Sequence, residues 1–225
     1  MKIGFDAKRA FLNKTGLGNY SRDTIRILSK YYKENNYLAF TTSKNSDSNS
    51  FLKGKENISV FTPKSIFNKL FNSFWRSKSI VLDLLEKNVQ IYHGLSNELP
   101  MGIEKTKIKT VVTIHDLIFI RYPNLYKYID RKIYFAKFKS ACHRADKIIA
   151  VSRQTKKDII KYFNIPEKKI SIVYQGCNQT FQNLVSNQKK NKIRTKYDLP
   201  ERFLLYVGSI EKRKNVLTIL KTIKE

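Results

Sequence analysis

The sequence predicts an α/β protein built on a doubly wound parallel sheet. Short β-branched apolar runs recur along the chain, separated by segments with helical hydrophobic spacing. The runs are apolar throughout rather than alternating, as in strands covered on both faces; Val111, Val112 and Ile114 are the clearest case. Two of the runs end in histidine, His93 and His115. The carboxyl ends of strands are where open α/β sheets place their ligand crevices.

Taken in order, Lys2 to Phe5 reads as the first buried strand, ending at Asp6, and 7–15 as a basic loop. Gly16-Leu17-Gly18-Asn19-Tyr20 opens a helix whose apolar face carries Leu17, Tyr20, Ile27, Leu28 and Tyr31. Tyr37–Thr42 and Ile58–Phe61 are the next strands, with a polar loop over Ser43–Ser50. Ile66–Leu85 reads as one helix with Ile66, Phe67, Leu70, Phe71, Phe74 and Trp75 at helical spacing and Lys64, Lys69, Arg76 and Lys78 interleaved. That stripe suits a core-facing helix or an interfacial membrane helix. Val89–His93 is a strand, Tyr126–Arg144 a long basic helix, and Lys147–Val151 a strand. Ser152 caps a helix running to Phe163. Ile170–Tyr174 is a further strand and Asn183–Asn191 a polar linker. Phe203–Val207 then reads as a buried strand, and Val216, Ile219, Leu220 and Ile223 as one helix face.

The formal charge is +26 and the hydrophobic fraction 41%, enough for a core. Such a balance attracts phosphate-rich partners, although a Lys- and Asn-rich composition places much of the charge on solvated surface. Cys142 and Cys177 match no metal or redox spacing. The amino-terminal segment lacks a signal-peptide apolar region. No apolar run approaches the roughly 18 residues of a spanning helix. The expected location is cytoplasmic, peripheral on the inner face of the cell membrane where the protein meets membrane at all. Nucleic acid is a poor candidate partner, because the basic residues are scattered and no recognition motif is visible.

His115-Asp116 at a strand end can serve as a site or as a capped core-edge pair, and the stretch alone favours neither. Gly16 and Gly18 before a helix allow backbone N–H groups to approach an anion. The spacing differs from the dinucleotide fingerprint, because a loop intervenes after the strand and Ser21 fills the third position. A phosphate loop and a plain helix start are equally compatible with it. There is no Walker motif, and no Asp-x-Asp pair to hold a metal.

Six stretches together decide the reading: FDAKRAFLNKTGLGNYSRD, YHGLSNELP, TVVTIHDLIFIRYP, ADKIIAVSRQTKKDI, ISIVYQGCN and FLLYVGSIEKRKNV. In this order they resemble glycosyltransferase family 4, retaining enzymes of the GT-B fold, and within it the branch of mannosyl- and hexosyltransferases that build bacterial surface polysaccharides such as lipopolysaccharide. The resemblance implies two Rossmann-like domains facing across a cleft. Residues 1–182 would be the acceptor-side domain, 183–200 a linker or insertion, and 201–225 the start of a nucleotide-sugar-binding domain, cut off after its first strand and helix. It implies His115 beside the transferred sugar as the catalytic residue, with His93 and Asp116 on the acceptor side. Gly16 and Gly18 would form the phosphate or acceptor loop. Gly208, Ser209, Arg213 and Lys214 would bind the donor diphosphate, with no metal and no cofactor beyond the nucleotide-sugar substrate. Ser209 stands where many family members carry Arg, and the family's later pair of glutamates is absent from these residues. The implied partners are a nucleotide-sugar, a glycan or lipid-linked acceptor, an anionic membrane surface, and a second chain supplying the rest of the donor half. The competing reading is a non-catalytic half domain that binds acceptor or membrane together with that second chain.

Overall fold

A computed structural model describes residues 1–43, 51–52, 54–178 and 181–224. The polar loop expected after Ser43 lies outside them. The chain divides into two compact units, 1–123 with 127–175, and 124–126 with 176–225.

The first unit is a seven-stranded sheet. Its strands are β1 (Lys2–Asp6), β2 (Asn36–Phe40), β3 (Ile58–Phe61), β4 (Ile91–Gly94), β5 (Lys109–Ile114), β6 (Lys147–Ala150) and β7 (Ile170–Ile172). The order is β3-β2-β1-β4-β5-β6-β7, with every pairing parallel. This is the expected doubly wound fold. The order reverses between β1 and β4, which creates a crevice at their carboxyl ends. The ends of these seven strands fall within two residues of the sequence reading; in β7, Val173 N–H still bonds Ala150, but Tyr174 is not in the strand.

The two faces of β1 are covered by different helices. Phe5 packs with Ala10, Phe11, Ile25 and Tyr37 beneath α1 (Lys8–Leu12) and α2 (Gly16–Tyr31). Gly4 faces the other way, where a Cβ would meet Val89, Leu84 and Phe40 at 3.2–3.3 Å. Alternation along the strand therefore puts Asp6 on the Gly4 side and His93, the register partner of Phe5, on the α2 side.

The single helix expected over Ile66–Leu85 is not formed. It is broken into α3 (Ile66–Leu70), α4 (Asn72–Phe74), a π-helical segment Trp75–Ser79, and α5 (Ile80–Glu86). The physical reason lies in Trp75 and Arg76. The Trp75 ring is buried and its indole N–H donates to Asp83 at 2.6 Å, while Arg76 reaches Asp6 and Glu98. The wider π turn swings these two residues inward. Ile66, Phe67, Leu70, Phe71 and Phe74 are left in solvent, with Ile66 77% and Leu70 75% exposed. The apolar stripe is thus not a core face.

After β5 come the short α6 (Ile118–Arg121), α7 (Tyr128–Arg144) and α8 (Arg153–Phe163). Ser152 caps α8 as expected, accepting from the Thr155 N–H at 3.0 Å. Asn164 ends it in the left-handed region, ahead of Pro166.

In the second unit, Asn187–Lys196 forms helix α9 where the sequence reads as linker. Ser186 caps it and Lys, Gln and Arg favour it, but it buries no residue, so it left no hydrophobic period to find. Phe203–Val207 forms no strand: these residues are exposed and no strand pairs with them among the described residues. A parallel strand exists only through its ladder, so an apolar run without one stays irregular. The helix expected after it is present as α10 (Val216–Lys224).

Candidate active site at the carboxyl edge of the sheet

The edge is assembled around Thr113, which is fully buried in β5. Its hydroxyl meets Tyr20 Oη at 2.9 Å and His93 Nε2 at 2.8 Å, which ties α2, β4 and β5 together. His93 is 6% exposed, with its ring 5.9 Å from that of Phe5. Burial, and secondarily the nearby His115, push its pKa down to about 4. His93 is therefore a neutral structural group at physiological pH.

His115 follows β5 directly and is half-buried. Its main chain is clamped from two sides. Its N–H donates to Asn97 Oδ1 at 3.0 Å, and its carbonyl accepts from the Thr155 hydroxyl at 3.1 Å. Asn97 holds this position from the left-handed region, at φ 65°, with its own N–H on the Thr113 carbonyl. The His115 ring stands edge-on to Tyr20, centroids 4.8 Å apart. Nε2 lies 2.9 Å from the Leu95 carbonyl oxygen. A carbonyl only accepts, so Nε2 carries the proton and Nδ1 of the neutral ring keeps its lone pair. Among the described residues, Nδ1 has only a long 3.5 Å approach from Gln175 Nε2. Burial lowers the His115 pKa, opposed by the Leu95 bond and Asp116. The edge thus presents a neutral, oriented nitrogen base.

The structure brings His93 and His115 together through Thr113 and Tyr20. Asp116 is exposed and its carboxylate accepts from the Ile118 N–H at 3.2 Å, just ahead of α6. Gly16 starts α2 in the open, with nothing near a notional Cβ. Gly18 is required by packing: a Cβ would stand 1.8 Å from the Asn13 carbonyl oxygen. Its N–H donates to Asn13 Oδ1 at 3.1 Å, which also accepts from the Thr15 N–H. Gly208, Ser209, Arg213 and Lys214 belong to the second unit, all exposed; Glu211 accepts from the Ser209 hydroxyl and pairs with Arg213 at 2.9 Å.

Thr113, Tyr20, Asn97 and Gln175 are site residues that no motif in the sequence marks as such. A polar Thr inside an apolar strand two residues before His115 was the available signal. Gly94 was a second: a Cβ there would meet the Glu98 carbonyl oxygen at 2.1 Å, so the turn after His93 depends on glycine.

A family model described as Glycosyltransferase Family 4 matches residues 39–181, well over half of the chain. The chain belongs to glycosyltransferase family 4. Among curated relatives, it is 29% identical over 132 residues to the serotype-specific mannosyltransferase WbdA of Escherichia coli, covering 55% of this chain and 16% of that protein. It is 30% identical over 133 residues to the O-antigen chain mannosyltransferase B of Escherichia coli, covering 58% and 33% respectively. The chain therefore spans a third or less of the length of these relatives. Among solved structures, Anabaena Alr3699/HepE in complex with UDP-glucose aligns with a TM-score of 0.60 at 15% identity, over 90% of this chain and 51% of that one. A glycosyltransferase from Rickettsia africae aligns at 0.52 with 18% identity, over 89% and 50%. These likenesses bear out the expected GT-B-like, Rossmann-like fold.

The buried His93 carries a pH signature. Its folded pKa lies below the ordinary 6.5, so the unfolded chain takes up the proton first as pH falls. Its contribution is complete above about pH 6.5 and is lost on descending to about pH 4, a difference of about 3 kcal/mol. Replacing His93 by Gln, which can still bond Thr113, should flatten the stability profile in that window, as read by urea unfolding. Parallel profiles for the two proteins would show that His93 is not held neutral.

Proposed function

We propose that this chain forms the acceptor-side part of a retaining, metal-independent glycosyltransferase. It would move a hexosyl group from a nucleoside-diphosphate sugar to a growing glycan or lipid-linked acceptor. The observation that carries this reading is the family match together with His115, an oriented neutral base at the strand end. The mannosyltransferase relatives and the UDP-glucose complex of the Anabaena neighbour support a nucleotide-sugar donor and a glycan acceptor. In this reading His115 Nδ1 accepts a hydrogen bond from a sugar hydroxyl beside the reacting carbon. His93, Thr113 and Tyr20 hold it there.

Arg213 and Lys214, with Gly208 and Ser209, are assigned to the donor diphosphate. As the glycosidic bond breaks, the leaving nucleoside diphosphate gains charge, and fixed cations aimed at it lower the barrier more than they strengthen ground-state binding. That is also how the reaction would proceed without a metal. Residues 1–182 then serve the acceptor and 201–225 begin the donor domain, with a second chain as one way to complete it.

No helix among the described residues is long and apolar enough to cross a membrane. The exposed α3–α4 stripe suits peripheral binding instead. Phe67 packs against Phe71 and Phe74, with ring centroids 4.7 and 6.0 Å apart. Lys69 and Lys78 flank it in solvent, so the patch joins apolar insertion to charge attraction.

Two measurements follow. In any assembly that completes the donor half, Lys214→Ala should lower hexosyl transfer by about 10²-fold, the scale of one transition-state charge contact; unchanged turnover would remove this turn from the site. The chain should float with vesicles containing anionic lipid, each basic side chain near the surface adding on the order of 1 kcal/mol. Replacing Phe67, Phe71 and Phe74 by Ser should reduce recovery, and equal recovery with neutral vesicles would rule out the electrostatic part.

A further inference from the structure

A second recess opens at the same edge, on the face of the sheet away from His93. It lies between the π-helical segment and α7 and has a volume of about 350 Å³. That is within the roughly 300–1,000 Å³ typical of small-molecule sites. No residue assigned above uses it.

Its floor is a chain of charges. Asp6, at the carboxyl end of β1, is 4% exposed. Its Oδ1 accepts from the Lys8 N–H at 3.3 Å, and its Oδ2 is 3.4 Å from Arg76 Nε. The Arg76 guanidinium also holds Glu98, whose second oxygen is 3.4 Å from Lys137 Nζ. Burial raises the Asp6 pKa, with Arg76 opposing, so this carboxylate is kept at a cost in stability. Tyr92, Leu99, Pro100, Met101 and Ala136 supply mainly apolar walls.

Two features indicate a built site. The π segment, a deviation frequent at functional sites, is what turns Arg76 and Ser77 into the recess. The β4–β5 loop that walls it is pinned by Arg144, which donates to the Pro100 and Leu99 carbonyls at 2.5 and 2.9 Å. A recess held open in this way saves the ordering cost of binding.

The charge pattern selects the ligand. In a chain of formal charge +26, this recess sets Asp6 and Glu98 against Arg76, Lys137 and Arg144, the last of which is also paired with Glu104 at 3.3 Å. A phosphate would meet Asp6 and Glu98. A neutral polyol would find acceptors and donors alternating, with an apolar wall for the C–H face of a pyranose ring. We propose that the recess is a saccharide subsite that holds one neutral pyranosyl unit of the acceptor glycan, with Asp6 and Glu98 accepting from its hydroxyls and Arg76 donating to its oxygens. The identity of the glycan as acceptor rests on the glycosyltransferase reading; the saccharide-binding claim is tested without it.

The test is an NMR titration of the 225-residue chain with methyl α-mannopyranoside and with a mannotriose, the relatives being mannosyltransferases. Shifts are expected at the amides of Ser77, Tyr92 and Ala136. Ala136 is exposed on α7, so Ala136→Trp fills the recess without entering the core. This variant should keep its thermal unfolding midpoint and weaken saccharide binding at least about tenfold, or 1.4 kcal/mol. Glu98→Gln should weaken binding in the same direction. Absence of saccharide shifts overturns the proposal, as do shifts that survive Ala136→Trp or a stronger response to inorganic phosphate than to mannoside. If the saccharide binds here and a completed protein transfers no sugar, the subsite stands and the glycosyltransferase reading falls. If transfer to glycan proceeds unchanged in Ala136→Trp, that reading stands and the subsite falls.

Discussion

The hydroxyl of Thr113 joins the parts of the edge that matter. One buried oxygen bonds both Tyr20 of α2 and His93 of β4, so three elements meet at a single point. It has one proton to give and two lone pairs to offer, enough for both neighbours. The sheet order brings this about. β4 and β5 are adjacent, and β4 lies beside β1 where the order reverses. The crevice at that reversal comes from topology. What lines it comes from the residues that end each strand.

Those strand ends are specialised by face. On the α2 side, the histidines are kept uncharged by burial, and His115 is oriented by a carbonyl at one nitrogen and by a perpendicular contact with the Tyr20 ring. On the other side, Asp6 and Glu98 are kept by Arg76, in a recess whose wall is fixed by Arg144. On one face the histidines add no charge, and on the other Asp6 and Glu98 offset part of the positive charge around them. Long-range attraction to an anionic partner and close recognition of a neutral sugar can therefore coexist.

Much of the sheet was legible because a strand buried on both faces leaves a continuous β-branched run, as at Val111–Ile114. The α8 cap was legible because a Ser ahead of a helical period has a local cause. The break at Trp75 was not. Six apolar residues at helical spacing describe one stripe, and only Asp83 further along the same stretch, with Asp6 and Glu98 remote in sequence, decide that Trp75 and Arg76 turn inward. The strand expected at Phe203–Val207 failed for a related reason: strand formation needs a partner, and composition does not provide one. Of the site, the histidines were visible at the ends of their runs. Thr113, Asn97 and Leu95 act through a hydroxyl, a left-handed turn and a carbonyl, and none of these has a sequence period.

The edge presents His115 as a neutral base, with its proton on Nε2 and its lone pair on Nδ1. Long-range ¹H–¹⁵N correlation of the imidazole nitrogens at neutral pH tests it directly. The expected result is a protonated, hydrogen-bonded Nε2 and an unprotonated Nδ1. A proton on Nδ1 with Nε2 bare, or a doubly protonated ring at that pH, would contradict it.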